Sequence, residues 1–206
     1  KTYREHKQKL EFSIEQIEEL KNYSEEIDLT FFSTAFDIIS LEKLESIGQE
    51  IHKISSFHVT DLKLIEAVCL TKKPIIISTG MSTIEEIDKA VHLIKQHGNQ
   101  LVVLHCISSY PTKTEDINLK VIITLKDRYN CLVGYSGHET NVNIAPSSVL
   151  YGSCVIERHF TLDRSFEGPD HILSSEPIEF KELVNLSKKI PKIGNIEDII
   201  CKDIDK

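Results

Sequence analysis

No stretch of this chain approaches the ~20 apolar residues needed to span a bilayer, so no membrane partner is expected. Basic residues are also in deficit. Lys and Arg number 24 against 32 Asp and Glu, a formal charge of −8. That balance argues against a nucleic-acid partner, which calls for a basic face. It does not exclude anionic ligands, because a local cluster of donors outweighs net charge. Paired cysteines are missing too. Cys69, Cys106, Cys131, Cys154 and Cys201 are odd in number and form no C-x-x-C. Buried free thiols and a reducing cytoplasm are the simpler reading. The opening KTYREHKQKLEF has no secretory character and reads as entering a helix from the middle of a protein. With no long linker, low-complexity stretch or sequence repeat, residues 1–206 read as one domain. At 40% hydrophobic they hold enough apolar material for a core.

Short apolar runs alternate with amphipathic stretches. The runs expected as strands are Leu29–Ser33, Ile51–Ser55, Pro74–Ser78, Leu101–Cys106, Cys131–Tyr135 and Cys154–Glu157. They are rich in Ile, Val and Leu without polar alternation, which suits parallel strands covered on both faces. Helices are expected at Ser13–Tyr23, Leu41–Gly48, Asp61–Thr71, Thr83–His97, Leu119–Tyr129, Asn143–Tyr151 and Pro177–Lys189. Ser82 with Glu85 reads as a capping box, Ser40 and Asn118 as N-caps, and Gly98 as a helix stop.

Six βα units suit either a doubly wound sheet or part of a (β/α)8 TIM barrel. Polar residues at nearly every strand's C-terminal end favour the barrel, where those ends converge on one mouth. Six strands leave that barrel apparently incomplete by two.

Three features at those ends carry chemistry. His138 and His159 lie 21 residues apart at the ends of successive strands. Strands ~4.8 Å apart let both imidazoles meet one metal ion while leaving positions for substrate oxygen. Two unrelated histidines fit the same spacing. Thr34, Ser56, Ser78 and Ser136, with Lys53 nearby, offer the donors a phosphate needs. Each hydroxyl alone reads equally well as a local cap. Finally, Glu157–Asp163 and the following Gly168-Pro169-Asp170-His171 form a charged exit from an apolar strand. It is either a solvated loop or a lid that brings Asp170 to sugar hydroxyls.

In order along the chain, FFSTAFD, KISS, KPIIISTGMS, LHCISSYPT, VGYSGHET and VIERHFTLD…GPDH resemble the N-acetylneuraminate (sialic acid) synthase family. The resemblance runs from about Lys9 to Ile190. It implies a TIM-barrel enzyme that condenses phosphoenolpyruvate with N-acetylmannosamine, its 6-phosphate or a related amino sugar, releasing phosphate. It implies a divalent cofactor, Mn2+ or Mg2+, held by His138 and His159. Thr34, Lys53, Ser56, Ser78, Ser108 and Ser136 correspond to phosphoenolpyruvate contacts, and Phe36, Tyr110 and Asp170 to sugar contacts. A homodimeric parent enzyme is implied as well. The chain departs at His58, where relatives often carry an acid, and at Ala35, where proline is common. Nothing matches the family's first two strands, with their carboxylate, lysine and glutamine, or its C-terminal antifreeze-like domain. No general base is therefore assigned, and the 206 residues alone are expected to be inactive. A different phosphoenolpyruvate-using barrel enzyme, or a non-catalytic remnant that only binds ligand, remains as an alternative.

Overall fold

The computed structural model describes residues 10–193. The expectations for the extreme N-terminus and for Cys201 lie outside them. Helix α1 (Ile14–Glu26) and helix α2 (Ile38–Ser46) precede the first strand, β1 (His52–Ile54). Then follow α3 (Leu62–Leu70), β2 (Ile75–Ser78), α4 (Ile84–Gln96), β3 (Leu101–Cys106), α5 (Val121–Tyr129), β4 (Leu132–Gly137), the short α6 (Ile144–Ser147), β5 (Val155–Arg158) and α7 (Pro177–Ile193). No described helix is long and apolar enough to cross a membrane.

The strands form one parallel sheet in the order β1-β2-β3-β4-β5. A doubly wound sheet reverses its strand order part-way. Here each strand pairs with the next, and each crossover returns over the same face, as in the wall of a barrel. On that face Ile54, Ile75, Ile77, Val103 and Val133 pack with Leu64, Ile65, Ile87, Ile94, Ile122 and Leu125 from the helices, all nearly free of solvent. The opposite face carries Lys53, Ser78, Leu104, Cys106, Ser136 and Glu157. Its register is fixed by the pairs Ser78↔Leu104, Cys106↔Ser136 and Ser136↔Glu157. Gly134 belongs to this face, and a Cβ there would come within 2.5 Å of Leu104 Cδ2 and of the Val155 carbonyl oxygen. Only glycine lets β3, β4 and β5 approach so closely.

Among the described residues five strands replace the six expected. Leu29–Ser33 forms no ladder, and only Thr34 makes an isolated parallel bridge, to Lys53. The reason is a side chain. The buried Gln49 amide accepts from Ser33 N–H at 2.7 Å and donates to Ser33 C=O at 2.9 Å, taking the place of a strand partner. Helix starts also shift. Thr83, not Ser82, caps α4, and Glu86 rather than Glu85 completes its box. Asp37, not Ser40, caps α2, its carboxylate accepting from Ser40 N–H at 2.7 Å. Asn118 adopts a left-handed φ of 49°, and α5 begins only at Val121. The expected helix Asn143–Tyr151 divides into α6 and a 3-10 turn, Ser148–Tyr151. Gly98, with φ 76°, ends α4 as expected.

Candidate functional site

The C-terminal strand ends open on one cleft of about 510 Å³. Its lining includes ten of the residues singled out in the sequence: Thr34, Phe36, Lys53, Ser56, Ser78, Ser108, Tyr110, Ser136, His138 and His159. Asp170 is not in the lining. It stands at the rim, its Oδ2 4.0 Å from His159 Nδ1. Ser55, Phe57, Met81, Cys106 and Glu157 complete the walls, and none was assigned a ligand contact from the sequence.

Glu157 is the most consequential of these. Its Oε1 accepts from Ser136 Oγ at 2.7 Å and from Ser78 Oγ at 3.5 Å, while Oε2 lies 3.4 Å from Lys53 Nζ. Three donors from three strands thus converge on one carboxylate. The signal was present in the sequence, because Glu157 stands two residues before His159 and so shares the inner face. The Lys53 side chain is 7% exposed. Burial lowers its pKa from the usual lysine range, while Glu157 acts in the opposite direction.

A second cluster closes the other side. Ser56 Oγ accepts from Gly80 N–H at 2.9 Å and donates to Cys106 Sγ at 3.5 Å. A Cβ on Gly80 would sit 2.2 Å from Ser108 Oγ and 3.0 Å from Ser56 Oγ. Glycine here lets hydroxyls from two other loops close on the turn after β2.

His138 is buried and His159 half-buried, with ring centroids 5.2 Å apart. Tyr110 lies against both, at 4.2 Å from His138 and 5.8 Å from His159, and burial pushes its hydroxyl up to about 12. His138 Nδ1 lies 2.8 Å from the Ile107 carbonyl. A carbonyl only accepts, so Nδ1 carries a proton, and in the neutral ring Nε2 keeps its lone pair. Orientation of one ring nitrogen by a backbone carbonyl is how histidine ligands are prepared for a metal. Burial works against a charged His138, but contact with Cys106 and the Ile107 carbonyl outweighs it and raises its pKa. Burial, with His138 beside it, lowers that of His159. Among the described residues no set of three His, Cys, Asp or Glu side chains is grouped to hold a metal. The two imidazoles would hold an ion and leave positions open to water or substrate oxygen.

Residues 1–196 match the NeuB family. The chain belongs to that family. It is 46% identical over 192 residues to the uncharacterized protein MJ1065 of Methanocaldococcus jannaschii, a match covering 92% of this chain and 57% of the relative. It is 38% identical over 188 residues to the N,N'-diacetyllegionaminic acid synthase of Campylobacter jejuni, covering 90% and 56%. The crystal structure of the N-acetylneuraminic acid synthetase of Leptospira borgpetersenii, in complex with citrate, superposes with a TM-score of 0.87 at 35% identity. That match covers 94% of this chain and 71% of the other. The chain thus spans little more than half the length of these two curated relatives.

Proposed function

We propose that the protein carrying this chain condenses phosphoenolpyruvate with N-acetylmannosamine, its 6-phosphate or a related amino sugar, giving a nine-carbon keto-sugar acid and phosphate. The observation that supports this most directly is the convergence of Lys53, Ser78 and Ser136 on the Glu157 carboxylate. Donors that hold one anionic group at the cleft floor suit the phosphate of phosphoenolpyruvate. Thr34, Ser56 and Ser108 extend the hydroxyl lining. Phe36, 58% exposed, and Tyr110, 49% exposed, offer apolar surface to a sugar at the open side. Asp170 at the rim would accept from its hydroxyls.

A divalent cation at His138 and His159, Mn2+ or Mg2+, would supply Lewis-acid polarisation of the open-chain sugar aldehyde. C3 of phosphoenolpyruvate attacks the aldehyde carbon and forms the new C–C bond. Water adds at C2, and phosphate leaves with cleavage of its C–O bond. The chain's own part is to position both substrates and to stabilise the phosphate's charge. Glu157, the one carboxylate lining the cleft among the described residues, would take a proton from the incoming water. The test incubates the whole protein with phosphoenolpyruvate, Mn2+ and each amino sugar in turn. Sugar-dependent phosphate release with formation of a nine-carbon 2-keto acid is expected. Its absence with every sugar would refute the reading.

A further inference from the structure

Directly after His138 and directly before His159 stand two charged residues that face away from the cleft. The Glu139 and Arg158 side chains are each 1% exposed, and Arg158 Nη1 approaches Glu139 Oε1 to 3.0 Å. This approach is not an aligned hydrogen bond. Among the described residues Glu139 Oε1 and Arg158 Nε and Nη1 find no hydrogen-bond partner. The aligned contacts go elsewhere. Tyr135 OH donates to Glu139 Oε2 at 2.7 Å. Arg158 Nη2 donates to the Glu139 carbonyl at 2.5 Å and to the Leu173 carbonyl at 3.3 Å. A Cβ on Gly137 would lie 2.7 Å from Glu139 Oε2, so the chain bends tightly around the carboxylate.

A buried ion pair with unsatisfied atoms is a poor source of stability, because desolvating both charges offsets their attraction. Its geometry does something else. Arg158 ties the backbone just after His138 to its own strand end, just before His159, and ties both to the Leu173 segment. We propose that Tyr135, Glu139 and Arg158 are positioning residues that set the spacing of the His138 and His159 rings. For a metal site this inference rests on the reading of those histidines given above. The spacing itself does not.

The test replaces the cluster with apolar groups of similar volume, Tyr135→Phe/Glu139→Leu/Arg158→Met, and reads two quantities. In the metal-free chain with labelled histidines, the nuclear Overhauser effect between the His138 and His159 rings is expected to vanish, while that between His105 and Tyr135→Phe persists. On Mn2+ titration followed by electron paramagnetic resonance, affinity is expected to fall about 10- to 100-fold, the usual effect of losing groups that orient ligands. A cooperatively folded triple variant that keeps the inter-ring effect would overturn the proposal. If the triple variant does not fold, Arg158→Lys keeps the charge but loses the fork. The same inter-ring signal, weakened or retained, then decides. Wild-type chain that shows the inter-ring effect but binds no Mn2+ would refute the metal reading and leave the positioning claim standing on its own signal.

Discussion

Replacing Lys53 with methionine isolates the phosphate contact from the rest of the cleft. The side chain is 7% exposed and its ammonium lies 3.4 Å from Glu157 Oε2. At an effective dielectric near 20, a unit pair at that distance attracts by about 5 kcal/mol. Glu157 is 39% exposed, so solvent screens part of this. Net values for hydrogen bonds to charged groups run at about 1.5–3 kcal/mol. A phosphate in the place of the carboxylate gains a contact of the same kind. Lys53→Met should therefore weaken phosphoenolpyruvate binding roughly 10- to 100-fold. Binding of N-acetylmannosamine should change by about twofold or less, since no sugar contact is assigned to Lys53. Glu157→Gln works in the opposite direction. The carboxylate competes with phosphate for Lys53, Ser78 and Ser136, and removing its charge should tighten phosphoenolpyruvate binding several-fold while turnover falls. Isothermal titration calorimetry at fixed ionic strength, with each substrate separately, measures both. Equal losses for the two substrates in Lys53→Met, or weaker phosphoenolpyruvate binding in Glu157→Gln, would refute the assignment of this cluster to phosphate.

His138→Ala and His159→Ala should each abolish Mn2+ binding without lowering the thermal midpoint by more than a few degrees, and Mn2+ affinity retained in either removes the metal assignment. His52 and His105 predict a loss of stability in acid. Burial holds both below the ordinary histidine value of 6.5. Below that pH the unfolded chain binds the extra protons, so stability is full above it and declines as pH falls towards the folded values. Urea melts between pH 7.5 and 5.5 should show a slope of up to about 1.4 kcal/mol per pH unit for each histidine. His52→Gln should remove one histidine's share, and an unchanged slope would contradict the reasoning.

The parallel sheet was legible because the runs of β2 through β4 are apolar along most of their length and lack the polar alternation of a strand with one solvated face. The first run failed for a reason that no local pattern carries. Leu29–Ser33 has strand composition, but the hydrogen-bonding capacity of Ser33 is consumed by Gln49, sixteen residues away. Gln49 is held in turn. Its amide lies 3.2 Å from His52 Nδ1, His52 Nε2 lies 2.9 Å from Glu45, and Lys73 Nζ reaches Glu45 at 2.7 Å. A polar network assembled from α2, β1 and the turn before β2 exists only after those elements pack. The caps failed more locally. Ser82-Thr83 and Glu85-Glu86 offer two overlapping capping boxes, and their choice depends on where the turn after Gly80 releases the chain.

The cleft was legible wherever a polar residue ends a strand, since a barrel wall brings such ends together. It was not legible where function depends on what a side chain meets across the sheet. In Glu157-Arg158-His159 alternation sets Glu157 on the face of His159 and Arg158 on the other, but names no partner for either. The pleat sends Glu157 inward to Ser136 and Lys53, and Arg158 outward to Glu139. The strand partners decide these roles: Ser136 opposite Glu157 turns a carboxylate towards the phosphate donors, and Gly137 opposite Arg158 leaves room for a buried guanidinium. Those pairings relate residues 21 positions apart, so the partner each side chain meets is set by the register of β4 and β5.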